Sequence, residues 1–325
     1  MIRNTHVKLK TICLLGGTGF VGHHLARRLV ELGYHVRMLV RQRERHRDLL
    51  VLPTLTLIEA DIHNLRVLAE QFIGCDAVIN LVGILNEKGR DGSGFRAAHV
   101  DLPSKIMRAC LACGIERVLH MSALNANATT APSAYLRSKG EGEDLLHTAS
   151  GLKVTSFRPA VIFGPGDSFI NRFAALLRRI PLAFPLACPT SLFAPVYVED
   201  VTEAFVQALQ NPRTYGQRYD LCGPRVYTLK QLVEYTATTI RVNRRVLGLS
   251  DRLSRLQANL FEYLPGKIFS RDNYLSLRVD CVCHDTFPAV FNLTPKTLEA
   301  IVPGYLAHPS SKARYFAYRS HADRN

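Results

Sequence analysis

At 325 residues the chain is long enough for one large domain, or for a large domain with a small annex. Its 47% hydrophobic and 21% charged residues are a globular balance, and no run of eighteen apolar residues offers a membrane-spanning helix. The net charge of +14 admits nucleic acid, an anionic membrane surface or a protein complex as partner. Nucleic acid fits worst, because no aromatic–basic interleaving, zinc finger or helix-turn-helix pattern accompanies the charge.

The first ten residues, "MIRNTHVKLK", are basic and run straight into a strand, with no apolar core or cleavage site of a leader. That predicts a cytoplasmic protein. The continuous apolar run "TICLLGG" (11–17) predicts a buried strand, followed by a helix over 23–33 with Leu25, Leu29 and Leu32 on one side and Gly33 at its end. Strands follow at 34–41 and 55–62, a short helix runs to Phe72, and a fourth strand occupies 75–83. A long helix over 95–114 leads into a strand at 115–124. The segment 135–150 reads as helix, although Gly140 and Gly142 weaken it, and 151–166 is a strand entering a glycine and proline loop. This alternation predicts an α/β fold, a doubly wound parallel sheet of the Rossmann type.

Beyond 166 the pattern loosens. Helices are expected at 169–180 and at 227–240, the latter capped by Thr228, with a short strand and a helix over 191–212. In 249–264 Leu249, Leu253, Leu256 and Leu260 recur at helical spacing; packing against the sheet domain explains them, and a membrane or partner surface is the alternative. A last short helix is expected over 293–306. The organisation predicted is a nucleotide-binding core at 9–166, a mixed region at 167–310 with late core elements and a small C-terminal annex over the cleft, and a tail at 311–325. Eight cysteines lie mostly in apolar context; Cys110 and Cys113 form a CxxC and Cys281 and Cys283 a CxC, but nothing completes a zinc pattern. Buried thiols in a reducing compartment are expected.

Gly16, Gly19 and Gly22 stand between the first strand and the first helix. The first glycine permits a tight turn, the second lets the backbone approach a pyrophosphate, and the third lets the helix pack closely on the sheet. The phosphates would sit at the helix N-terminus, where N–H groups point at them. An NAD site ends its second strand with an acid for the ribose 2′-hydroxyl; this chain has Arg41 there, followed by Arg43, Arg45 and Arg47. A guanidinium pairs with a 2′-phosphate, so NADP(H) is favoured, with NAD(H) open through Glu44. Asp61 and Ile62, after the third strand, are placed to meet the adenine.

"YLRSK" puts Tyr135 and Lys139 one helical turn apart, and Ser122 ends the strand before them. A tyrosine with a pKa of about 10 is a poor acid or base at neutral pH. A nearby lysine favours its ionised form and can bridge to the nicotinamide ribose, while a serine hydroxyl could orient a carbonyl. Alternatively Tyr135 packs the wall of the site and Lys139 only holds the ribose.

These residues carry a family resemblance. Through "LLGGTGFVG" (14–22), "NLVGIL" (80–85), "HMSAL" (120–124), "YLRSKGEGE" (135–143), "FRPAVIFGPGDSFINRF" (157–173) and "PVYVEDV" (195–201), the chain resembles the extended short-chain dehydrogenases/reductases. Within them it resembles the atypical branch of complex I 39-kDa accessory subunit-like proteins. The resemblance implies a nucleotide held by Gly16, Thr18, Gly19, Phe20, Val21, Gly22 and Arg41, with Leu81, Val82 and Gly83 flanking the nicotinamide and Pro159 and Val161 over it. It also implies a largely structural nucleotide in an accessory protein of respiratory complex I; the basic charge and the lack of a mitochondrial-type presequence favour a bacterial cytoplasmic protein, peripheral on the inner membrane face. The alternative is a stand-alone NAD(P)H-dependent oxidoreductase acting on a small carbonyl or quinone-related substrate through Tyr135, Lys139 and Ser122. One departure bears on this choice: His99 and Asp101 lie where such reductases often carry an asparagine.

Overall fold

A computed structural model describes residues 9–263 and 269–306; the expected tail at 311–325 lies outside them. The chain forms two compact units. The first comprises the residues up to Pro159 together with Glu199–Leu221 and Pro288–Leu293; the second comprises Ala160–Val198, Cys222–Phe287 and the residues from Thr294 on.

The first unit is built from β1 (Thr11–Leu15), α1 (Phe20–Glu31), β2 (His35–Val40), β3 (Leu55–Glu59), α2 (Leu65–Phe72), β4 (Ala77–Asn80), α3 (Ser93–Arg96), α4 (Leu102–Cys113), β5 (Arg117–Met121), α5 (Ala134–His147) and β6 (Lys153–Pro159). Its seven-stranded sheet has the order Gln217–Leu221, β6, β5, β4, β1, β2, β3, and every pair is parallel. The doubly wound Rossmann arrangement expected from the alternation is therefore present. The chain winds outward from β1 to β3, then returns to pair β4 on the other side of β1, so the loops leaving β1 and β4 diverge at a topological switch point. Both faces are covered, which explains why the strands read as continuous apolar runs. On one face Cys13, Leu15, Phe72, Val78, Ile106, Cys110 and Val118 form a single cluster.

Helix boundaries follow local chemistry. Asn64 Oδ1 accepts from the N–H groups of Arg66 and Val67 to start α2, and Ser133 Oγ accepts from Leu136 N–H to start α5. Gly33 has φ +82°, a left-handed residue just past α1 that an L side chain would strain. Leu25 and Leu29 of α1 are buried, whereas Leu32 lies at the helix end and is exposed. The long helix expected over 95–114 is interrupted: Ala97–Asp101 forms a π-turn between α3 and α4. The two glycines of α5, unfavourable in a helix by propensity, are contact points. A Cβ on Gly142 would overlap the His99 carbonyl in that π-turn, and one on Gly140 would come within 2.5 Å of Ala128 N.

The second unit contains three two-stranded sheets. Ile162–Phe163 pairs with Val196–Tyr197, Ala183–Leu186 with Arg245–Gly248, and Leu192–Phe193 with Tyr227–Thr228. Around them lie the helices Ile170–Arg179, Leu229–Thr239, Asp251–Phe261, Arg271–Ser276 and Leu298–Leu306. Thr228 caps its helix reciprocally with Gln231, as expected. Asp167 accepts from the N–H groups of Gly164, Phe169 and Asn171 and from the Tyr305 hydroxyl at 2.9 Å, tying the last helix to the loop before the first.

Two expectations are corrected here. Cys222 and Cys283 form a disulfide, so the reading of all eight cysteines as buried thiols fails for this pair; Cys13, Cys75 and Cys110 are free and buried. The leucines of Asp251–Phe261 do not pack inward. Ser254 and Ala258 are the buried residues of that helix, and Leu253, Leu256 and Leu260 are exposed.

Candidate functional site

The glycine loop has the geometry its spacing predicts. Gly16 has φ +75°, and a Cβ there would lie 2.8 Å from the Leu81 carbonyl carbon and 2.9 Å from Val82 N. The loop after β1 thus lies directly against the loop after β4. Gly19 N–H donates to the Gly16 carbonyl at 3.1 Å, and Gly19 is the exposed N-cap of α1. Having no side chain, it gives the first turn of α1, Phe20, Val21 and Gly22, no side-chain cap. A Cβ on Gly22 would stand 2.5 Å from Gly17 Cα, so glycine there sets how closely α1 approaches the strand. Thr18 is half-buried in the turn. Uncapped N–H groups at an open helix start, reached by a bare backbone, fit a pyrophosphate.

Arg41 directly follows β2 and is exposed, as are Arg43 and Arg45. Among the described residues none of the three forms an ion pair. Glu44, the acid that could have served a 2′-hydroxyl, is instead held by Arg47, whose Nε donates to it at 2.6 Å. Glu59 accepts from Arg43 N–H. Asp61 accepts from His63 N–H at 2.9 Å, and Ile62 packs partly against the core.

Lys139 is the best-defined polar group of the site. It is buried, and its Nζ donates to the Met121 carbonyl at 3.0 Å and the Val82 carbonyl at 3.4 Å. Burial lowers its pKa from 10.5 to about 8, against the opposing pull of Glu143. Gly83 faces it: a Cβ there would be 3.0 Å from Lys139 Nζ and 3.6 Å from His99 Nε2. Tyr135, half-buried, meets the rings of His99 at 5.5 Å and Phe95 at 6.2 Å edge-on.

His99 is a strut. Its Nε2 accepts from Ile84 N–H at 3.1 Å, so Nδ1 carries the hydrogen and donates to Ser138 Oγ at 2.9 Å. Ser138 Oγ in turn donates to the Tyr135 carbonyl. Burial, then the charge of Lys139, hold the His99 pKa down at about 2, so the ring stays neutral. It ties the loop after β4 to α5. Asp101 lies away from this contact and pairs with Arg96 at 3.6 Å.

Ser122 is hydrogen-bonded to a side chain of α5. Its hydroxyl donates to Glu143 Oε2 at 2.6 Å. Glu143 is fully buried and is paired with Arg158 Nε at 2.9 Å and Arg218 Nε at 3.1 Å. Sequence reading missed Glu143; the signal was its position one turn beyond Lys139 on the same helix. On β5, His120 is buried with Nδ1 against Asn80 Nδ2 at 3.2 Å, and its Nε2 has no hydrogen-bond partner among the described residues. Pro159 closes β6, its carbonyl accepting from Leu124 N–H, whereas Val161 belongs to the second unit.

The geometry is that of a nucleotide-binding sheet, and residues 12–222 match the model of the NAD dependent epimerase/dehydratase family. The chain belongs to this family. It is 32% identical over 228 residues to NADH dehydrogenase (ubiquinone) 1 alpha subcomplex subunit 9, mitochondrial, of Mus musculus, covering 68% of this chain and 59% of the relative. The chain therefore spans less than two-thirds of that relative's length. It is also 32% identical over 256 residues to the ceramide reductase of Caulobacter vibrioides, covering 75% of this chain and 73% of the relative. A solved structure of the Bordetella bronchiseptica enzyme WbmH in complex with NAD+ is similar with a TM-score of 0.62, at 19% identity, over 74% of this chain and 86% of that one. That likeness is one of fold. Membership of this family supports NAD(P)-type cofactor binding.

Proposed function

We propose that the first unit holds NADP(H), and that the protein is an accessory subunit or assembly factor of a respiratory NADH:quinone oxidoreductase in which the nucleotide is chiefly structural. The N–H groups of the α1 start would take the pyrophosphate, Arg41 with Arg43 or Arg45 the 2′-phosphate, and Asp61 and Ile62 the adenosine end. Lys139 would hold the nicotinamide ribose, with Leu81, Val82, Gly83 and Pro159 around it. A bound nucleotide would offer a hydride at nicotinamide C4, chemistry that this reading leaves largely unused.

The observation that carries the structural reading is the bond from Ser122 to Glu143. It withdraws from Tyr135 and Lys139 the hydroxyl that would orient a carbonyl. The test is twofold. NADPH should bind more tightly than NADH, and Arg41→Ala should weaken NADPH far more than NADH; the reverse preference sinks the cofactor assignment. A tagged copy should co-purify with subunits of the respiratory complex, and Tyr135→Phe should leave that association intact; a protein that recovers none of them is not an accessory subunit.

A second reading, reduction of a small, quinone-related or lipid carbonyl, is favoured by the intact Tyr135 and Lys139 pair and by the similarity to a ceramide reductase. In it Tyr135 gives the proton and Lys139 supports it. NADPH oxidation across a panel of quinones and carbonyl compounds distinguishes the two. Turnover that falls by about 10²-fold or more in Tyr135→Phe selects the reductase.

A further inference from the structure

We propose that the helix Asp251–Phe261 of the second unit is a membrane-surface anchor that lays its leucine row into an anionic lipid headgroup layer. This inference stands apart from the nucleotide reading.

The helix is amphipathic in the inverse sense. Its inward side is small: Ser254 and Ala258 are fully buried, and Ser254 Oγ accepts from Cys188 N–H at 3.0 Å and donates to the Ser250 carbonyl at 2.9 Å. Its large apolar residues face outward, with Leu253 51%, Leu256 60% and Leu260 64% exposed, and Tyr263 just beyond the helix 72% exposed. Three- and four-residue spacing puts the leucines in one row. A helix that turns serine and alanine inward and leucine outward leaves its hydrophobic side for something other than its own unit.

The charges say what that is. Arg252 and Arg255 are exposed on the same helix, Arg252 one turn before Leu256, and neither forms an ion pair among the described residues. The one acid of the first turn, Asp251, accepts from the Tyr274 hydroxyl at 2.7 Å. The strand entering the helix and the turn before it carry Arg241, Arg244 and Arg245, also without ion pairs among the described residues; Arg244 Nε donates to the Ile180 carbonyl. An apolar row edged by arginines that form no ion pair among the described residues, with Glu262 at the C-cap and a tyrosine beyond it, is the composition of a helix lying in a lipid interface. A second copy of this chain fits less well, because symmetric pairing of the two helices would bring four arginines together.

The experiment uses the purified full chain and vesicles of phosphatidylcholine alone or mixed with phosphatidylglycerol. The chain should sediment with the mixed vesicles at least about tenfold more strongly than with the neutral ones, and salt should weaken the binding. The triple variant L253S/L256S/L260S, which alters only exposed side chains, should stay in the supernatant. R252Q/R255Q should lose about tenfold in binding and much of the salt dependence. Both variants should bind NADPH as the parent does, which separates this result from a failure of the nucleotide site. A parent chain that ignores anionic vesicles overturns the inference, as does a triple variant that still binds them. So does a dimer in solution that the triple variant splits, or loss of a protein partner in that variant with lipid binding unchanged.

Discussion

Lys139 sits at the balance of two opposing influences. Burial favours its neutral form, and Glu143, one turn away, favours the charged one. A folded-state pKa of about 8 against 10.5 means that between these values the unfolded chain binds the extra proton. Stability should therefore rise with pH through that window as the buried charge is lost. If Lys139 holds the ribose as proposed, nucleotide affinity should run the other way, falling as pH passes about 8 and the lysine loses its charge. Glu143→Gln should move the midpoint of that fall to lower pH. Fluorescence titration with NADPH across pH measures it, and an unshifted midpoint would mean that Glu143 does not reach Lys139 electrically. Tyr135 and Lys139 were legible in the sequence because their relation is local, one turn of one helix. The partner of Ser122 was not, because Glu143 lies 21 residues further on and on another element. His99 stands out in the sequence as a departure, but its tautomer depends on the Ile84 N–H, which only folding brings to it.

At the scale of elements, α5 shows how a local preference is overruled by packing. Glycine in a helix costs about 1 kcal/mol against alanine, so Gly140 and Gly142 read as defects. The structure makes them points of closest approach, Gly142 against the His99 carbonyl in the π-turn. Gly142→Ala should thus destabilise the protein, by about 1–3 kcal/mol as overpacking does, although alanine is the better helix former. Urea denaturation measures this, and a neutral or stabilising result would show that the π-turn can retreat. The helix Asp251–Phe261 was visible in the leucine spacing, but spacing defines a row without saying which way the row faces. Ser254 and Ala258 settle that, through contacts no periodicity records.

Across the whole molecule, the parallel sheet was legible because each strand–helix pair announces itself within about thirty residues. The second unit was not. Several of its strands are two residues long, too short for any period, and its covalent link joins Cys222 to Cys283 across 61 residues. On chain-entropy grounds a loop of that size stabilises the folded chain by about 4 kcal/mol. Cys222→Ser, or a reductant, should lower the thermal midpoint of the second unit; an unchanged midpoint under reductant would show that the bond contributes nothing.

The path of the chain through the first unit has a consequence for its birth on the ribosome. The sheet needs Gln217–Leu221 to cover the edge of β6, and Phe157 needs Phe291, 5.9 Å away, to complete its aromatic stack. Both arrive only after long stretches of the other unit have been made. The nascent sheet therefore exposes β6 as a bare edge for the time it takes to synthesise those insertions, and no single stretch cut out of the gene encodes the first unit alone. A fragment ending at Pro159 would carry the glycine loop, Tyr135 and Lys139, and still present an open strand that invites pairing with its neighbours.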